Sequence, residues 1–266
     1  MPLPSRLRSS PVSAAEPALP TRRRVLQAAA GIVAGGSLLA LQACGGADDG
    51  DTASLRLVNA TVDFETARLQ VDGSTVISSL AYGGTTSDYV SIDSGSRALA
   101  LFSTSGTTGP STAYSFNADT YNTVIAYGTL SAGMAFRRIE ESNSAPSSGY
   151  FNVRLLHAAP LLDGLDLYIS NTSSLADLTP TATISAIGNL GDFVAVEAGT
   201  YRVRLTPTGD HSTVLFDSGS DTSSRITFSS ELIVTLAIVP RSSGSLPDIT
   251  ALPEKLAAGV LSNSLA

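Results

Sequence analysis

Few residues of this chain are equipped for covalent or coordination chemistry: it has one cysteine and two histidines. Cys44 follows 19 uncharged residues, Val25 to Ala43, and lies between Ala43 and Gly45. A thiol in that setting suits acylation through sulfur, and with no second cysteine an intramolecular disulfide is excluded. His157 and His211 fall short of the nitrogen and sulfur ligand set that zinc prefers, so carboxylates or main-chain oxygens would have to complete a site, and no metal is expected. A Ser-His-Asp arrangement could draw on His157 with Asp163 or Asp166. No Gly-x-Ser-x-Gly turn follows the cysteine to present a strained serine, and Ser105 and Ser218 read as ordinary turn residues. Asp88, Asp93, Asp163, Asp166, Asp192 and Glu197 offer oxygen to calcium, but they lack EF-hand spacing and alternate between strand faces. The chain therefore offers no expected catalytic residue and no expected cofactor.

The elements that surround Cys44 give its chemistry a direction. Thr21-Arg22-Arg23-Arg24-Val25-Leu26-Gln27 resembles the twin-arginine export consensus, with Arg22 and Arg23 as the paired arginines. The apolar stretch after it is rich in Gly and Ala and ends in a processing site, so it reads as a signal h-region and not as a permanent span. Leu41-Gln42-Ala43-Cys44-Gly45 resembles a lipobox, which implies cleavage between Ala43 and Cys44 and a diacylglyceryl group, with acyl chains such as palmitate, on the Cys44 sulfur. Two acyl chains anchor stably where one is marginal. The resemblance implies an exported, membrane-anchored lipoprotein, delivered to the outer membrane in a Gram-negative cell because Gly45 is no retention signal.

From Cys44 onward the chain carries 11 basic and 22 acidic residues, a net charge of −11. That balance repels phosphate backbones and anionic headgroups, so nucleic acid is excluded as a partner. The 23 glycines and 13 prolines, with abundant Ser and Thr, point to short strands and frequent turns. The chain also repeats itself. Leu55-Arg56-Leu57-Val58-Asn59 returns as Val153-Arg154-Leu155-Leu156-His157, 98 positions on. Asp88-Tyr89-Val90 returns as Asp192-Phe193-Val194, 104 positions on, which puts six extra residues into the 172–186 loop of the second copy. Period-2 alternation bounded by turn residues reads as antiparallel strands of two tandem β-sandwiches, immunoglobulin-like in class. Gly95 and Gly199 are expected in equivalent tight turns. Only Leu252 to Leu265 has the spacing of a short helix. Tyr82, Tyr114, Tyr121, Tyr127, Tyr150, Tyr168 and Tyr201 sit mostly at alternating strand positions, where packing is the commoner role.

The Arg-x-Val/Leu-x-Asn/His-Ala opening, the Asp166-Leu167-Tyr168 strand and the Gly199-Thr200-Tyr201 hairpin resemble the bacterial domain of unknown function 4397. The resemblance covers two copies, of which the second follows the pattern better. It implies the sandwich fold and no activity. The expected organisation is a signal over 1–43, a tether over 44–53, a first sandwich over 54–140, a linker over 141–149, a second sandwich over 150–250 and a tail over 251–266, with each sandwich folding alone. The expected function is that of a noncatalytic, lipid-anchored cell-envelope module for interaction, adhesion or structure, held to the membrane through Cys44, with an envelope protein or glycan as its partner. A small-ligand or glycan-binding module, favoured by exposed tyrosines beside the 172–186 insertion, is the alternative. A hydrolase built on His157 is the remote one.

Overall fold

A computed structural model describes residues 51–83, 88–141, 144–241, 245–261 and 263–265. Arg22, Arg23, Ala43 and Cys44 lie outside the described residues. The first half of the described chain forms β1 (Thr52–Thr61), β2 (Thr66–Val71), β3 (Ser74–Ala81), β4 (Val90–Asp93), β5 (Gly95–Ser103), β6 (Thr108–Phe116), β7 (Tyr121–Thr129) and β8 (Gly133–Glu140). The second forms β9 (Tyr150–His157), β10 (Leu165–Ser170), β11 (Ala182–Ile184), β12 (Val194–Glu197), β13 (Gly199–Pro207), β14 (Phe216–Asp217), β15 (Ile226–Phe228), β16 (Ile233–Pro240), β17 (Pro247–Pro253) and β18 (Gly259–Leu261). The protein is all-β, as the alternation requires.

Each half is a two-sheet sandwich. In the first, β4-β1-β7-β8 packs on β3-β2-β5-β6; in the second, β12-β9-β16-β17-β18 packs on β11-β10-β13-β14, with β15 also on β13. Inward residues of facing sheets form one core per half, around Leu55, Leu57, Leu69 and Leu101 in the first and Val153, Leu155, Leu167 and Leu205 in the second. The pairing is not antiparallel throughout. β1 runs parallel to β7, Leu57 opposite Val124, and β9 runs parallel to β16, Leu155 opposite Leu236. Strands so distant in sequence come back side by side in the same sense after the chain has crossed the other sheet.

Parallel strands are generally buried on both faces, and these are. The opposite faces of β1, β7, β8, β9, β16 and β17 meet in a third apolar cluster: Val58, Ala60, Ile125 and Ile139 from the first half against Leu156, Ala158, Ala237, Val239 and Leu252 from the second. Four sheets are thus stacked, with the inner two back to back. Among these apolar residues sits Arg56, itself fully buried. Its Nε donates to Thr123 Oγ1 at 2.6 Å, an Nη meets Glu141 Oε1 at 3.0 Å, and other bonds reach the Pro253 and Leu256 carbonyls of the second half. Arg154 repeats the pattern: Nε to Thr235 Oγ1 at 2.9 Å, Glu254 at 3.9 Å. Arg56 lies over the ring of Tyr89 and Arg154 over that of Phe193, at 4.9 and 4.1 Å. The two halves thus carry equivalent constellations around Arg56 and Arg154.

Two stretches differ from expectation. Glu141, read as the first linker residue, is buried, and its second carboxylate oxygen accepts from Tyr89 Oη and from the Lys255 amide, both at 2.7 Å. The Leu252 to Leu265 stretch is not helical but continues β17 and forms β18. Pro253 and Gly259 break helical continuity, and Asn263 then ties the end down through the Leu215 and Pro247 carbonyls. Gly95 has φ +93° as its turn requires, whereas Gly199 has ordinary φ and is constrained by the Tyr201 ring, 3.2 Å from where a Cβ would stand.

Candidate functional site

β1, β7, β9 and β16 all end at one pole, where the turns 62–65, 130–132 and 158–164 gather beside Arg241, Ser245 and Leu246. Two of these turns are shaped from beneath by buried side chains at equivalent positions. Asn59 Nδ2 donates to the Phe64 carbonyl at 2.9 Å and its Oδ1 accepts from Thr61 Oγ1 at 2.6 Å. His157 Nε2 lies 3.2 Å from the Leu162 carbonyl and 3.0 Å from that of Asp163, while Nδ1 accepts the Ala159 amide at 3.3 Å. Those partners assign the neutral tautomer with the proton on Nε2. Burial is the main influence on His157 and holds its pKa below the ordinary value against the two carbonyls.

The turns are tied to one another. Asp63 accepts the Leu130 amide at 2.6 Å, Tyr82 Oη donates to the Pro240 carbonyl across the halves, and Arg241 grips Asp248 at 2.7 Å. Between the halves they enclose a cavity of about 120 Å³ lined by Val62, Thr129, Pro160, Leu161, Pro240 and Leu246 among others. A second, of about 350 Å³, lies on the other side of Val62, against Glu65, Ala81 and Tyr82. The rim is apolar and wet: Leu161 is 91% exposed, Leu130 52% and Val62 40%. A rigid set of loops with projecting aliphatic side chains does no chemistry by itself. It can be covered by a partner, which removes about 25 cal/mol per Å² of apolar surface from water.

The residues with chemical potential are placed otherwise. Among the described residues His157 bonds main-chain groups alone, and the structure brings to it neither the serine nor the carboxylate that a hydrolase needs. Ser218 Oγ accepts the Val203 amide at 3.0 Å, and Ser105 meets Ser103 in a turn at 2.8 Å. Asp166 accepts from Thr183 Oγ1 at 2.6 Å and the Gly209 amide at 2.9 Å. No three His, Cys, Asp or Glu side chains converge on a metal-sized point among the described residues. The tyrosines mostly bond and pack: Tyr114 to the Phe136 carbonyl, Tyr201 to that of Glu197, and Tyr89 edge-on to Tyr121. Tyr168, beside the insertion, is buried and not exposed. Sequence reading passed over Val62, Leu130 and Leu161. The signal for the last was present in Pro160-Leu161-Leu162, an apolar pair inside a turn.

No curated protein matches the chain. Among solved structures, a Bacteroides ovatus protein described as a candidate adhesin is 10% identical, covering 80% of this chain and 96% of its own with a TM-score of 0.25, a likeness too slight to carry an argument. Residues 53–168, the whole first sandwich together with β9 and β10, match the family described as "Domain of unknown function (DUF4397)".

Proposed function

We propose that the protein is a noncatalytic interaction module of the cell envelope, lipid-anchored at Cys44, that meets a partner with this pole. The observation that carries this reading is the pole itself: exposed Leu161, Leu130 and Val62 on turns locked by Asn59, His157 and the Arg241–Asp248 pair. β1 starts at Thr52 and runs to the pole, about 30 Å at the usual rise per residue, so an anchor shortly before Thr52 directs the pole away from the membrane. Lipidation rests on the lipobox-like run at 41–45, and export on Arg22 and Arg23.

Two measurements test it. Cys44→Ala should leave an uncleaved precursor that fails to partition with membranes on fractionation; a Cys44→Ala protein still cut after Ala43 and membrane-bound refutes the anchor. The pole is tested by screening envelope proteins and glycans for binding to cells that display the wild type or Leu161→Asp/Val62→Asp. Any partner captured by the wild type should be lost, and retention at full strength refutes the pole as the contact.

A further inference from the structure

The six-residue insertion of the second half does not line the cavity at the pole. Residues 171–181 link β10 to β11 and lie as a strap over the outward face of β10 and β13. In register on that face are Asp166 with Thr206, Tyr168 with Arg204 and Ser170 with Arg202. Asp166, Tyr168 and Arg204 are 3%, 1% and 2% exposed, unusual for polar groups on an outer sheet face. The equivalent face of the first half has Arg68, Gln70, Ala100 and Phe102, all partly open to solvent, and only the Asp72-Gly73 turn in place of the strap. Strap and polar set occur together and are absent together.

The strap is pinned at its ends. Asn171 Nδ2 donates to the Thr200 carbonyl, and Thr181 bonds both the Leu167 carbonyl and the Ile169 amide. Between these pins its carbonyls are held by two side chains of the face. Arg204 donates to the Ser173 and Thr172 carbonyls at 3.0 and 2.8 Å, and His211 Nδ1 lies 2.6 Å from that of Leu175. Leu175 is the strap's buried side chain, and His211 meets Tyr168 edge-on. Yet the strap satisfies this face incompletely: Arg204 Nε, on the residue directly opposite Tyr168, has no hydrogen-bond partner among the described residues. A buried unpartnered donor is costly, and the native exceptions call for an explanation.

We propose that this face binds a carboxylate-bearing sugar, and that the strap's carbonyls occupy the Arg204 and His211 donors until the ligand displaces them. A carboxylate arriving side-on takes Nε and Nη2 of Arg204 together, the two-point geometry that arginine offers, and so engages the donor that the strap leaves idle. Ser170, which the strap's Thr172 hydroxyl and Arg204 hold at 3.3 and 3.0 Å, is the hydroxyl that displacement of the strap frees for a sugar hydroxyl, while Asp166 stays bound to Thr183 and Gly209. A peptide adding as a strand is disfavoured, because β10 is paired on both sides, with β11 and β13, and β13 with β10, β14 and β15. The proposal is independent of the pole.

The test is calorimetric titration of the full chain carrying Cys44→Ser with trigalacturonate, beside neutral galactose oligomers and a glutamate peptide. Saturable binding of trigalacturonate alone is expected. Leu175→Ser, which loosens the strap, should tighten it at least about fivefold by raising the open fraction. Arg204→Lys, which keeps the charge and loses the fork, should weaken it at least about tenfold. No saturable binding to either the wild type or a folded Leu175→Ser protein overturns the proposal, as does equal binding of the glutamate peptide or an unaffected Arg204→Lys. Should Leu175→Ser unfold, hydrogen exchange on the Cys44→Ser chain decides: strap amides 172–176 should exchange faster with trigalacturonate present, and unchanged or slower exchange overturns displacement.

Discussion

Arg56 and His157 show how a single buried polar residue can be required without being catalytic. Arg56 and Glu141 are almost fully buried, so removing one partner strands a charge while removing both does not. Glu141→Ala should therefore lower stability by about 3–5 kcal/mol, whereas Arg56→Met/Glu141→Met should recover most of the loss, read from urea denaturation midpoints. An equal loss in both would show that the pair contributes through packing alone. For His157 the counterpart Asn59 performs the same turn-bonding task, so His157→Asn should be tolerated and His157→Ala should cost about 1–3 kcal/mol for the orphaned main-chain groups. Because the folded pKa of His157 lies below the ordinary 6.5, the unfolded chain binds the proton first. The contribution is fully present above about pH 6.5 and is lost as pH falls from there through the folded value. Melting temperatures between pH 7 and 5 should fall less steeply for His157→Asn than for the wild type.

At the scale of elements, the same hairpin is secured differently in the two halves. Before β5, Gly95 holds φ +93°, where an L side chain is strained; before β13, Gly199 has ordinary φ and only the nearby Tyr201 ring limits it. Gly95→Ala should cost about 1–3 kcal/mol, and Gly199→Ala clearly less, since the ring can shift by a few tenths of an ångström. Thermal melts of the two variants check this, and equal losses would contradict it. Tyr201 and its counterpart Arg97 also look unlike in sequence, an aromatic against a cation. In the fold Tyr201 Oη donates to the Glu197 carbonyl at 2.9 Å and Arg97 Nε to the equivalent Asp93 carbonyl at 3.1 Å. The hairpin keeps its bond while the side chain changes, so the exchange does not by itself weaken the first half.

For the whole molecule the decisive feature is the third apolar layer. The expectation that each half folds alone follows from each having its own core, but separation would expose Val58, Ile125, Ile139, Leu156, Val239 and Leu252. Burying each contributes about 1.5–3 kcal/mol, and Arg56 would lose its partners in the second half. The described residues from Asp51 onward accordingly form one compact unit. It should melt in a single transition by calorimetry, with the calorimetric and van't Hoff enthalpies equal. Two resolved transitions would mean that the layer contributes little and the halves are independent.

The sequence by itself determined which side chains face inward, because strand alternation has a period of two, and it determined the equivalence of the halves, because the same alternation returns 98 and 104 positions later. It also paired His157 with Asn59 across the repeat, an exchange that the fold explains as one turn-bonding task shared by two side chains. It did not contain the identity of strand neighbours, since alternation defines a face and not a partner. The parallel pairs β1 with β7 and β9 with β16 therefore emerged only from the sheets. Nor did it distinguish a strand buried on two faces from one buried on one, so the burial of Arg56 was not legible and Glu141 read as linker. The insertion was legible as six extra residues. Only tertiary structure decided that those residues fold back over Tyr168 and Arg204, because closing a loop over a sheet depends on donors from strands far apart in the chain.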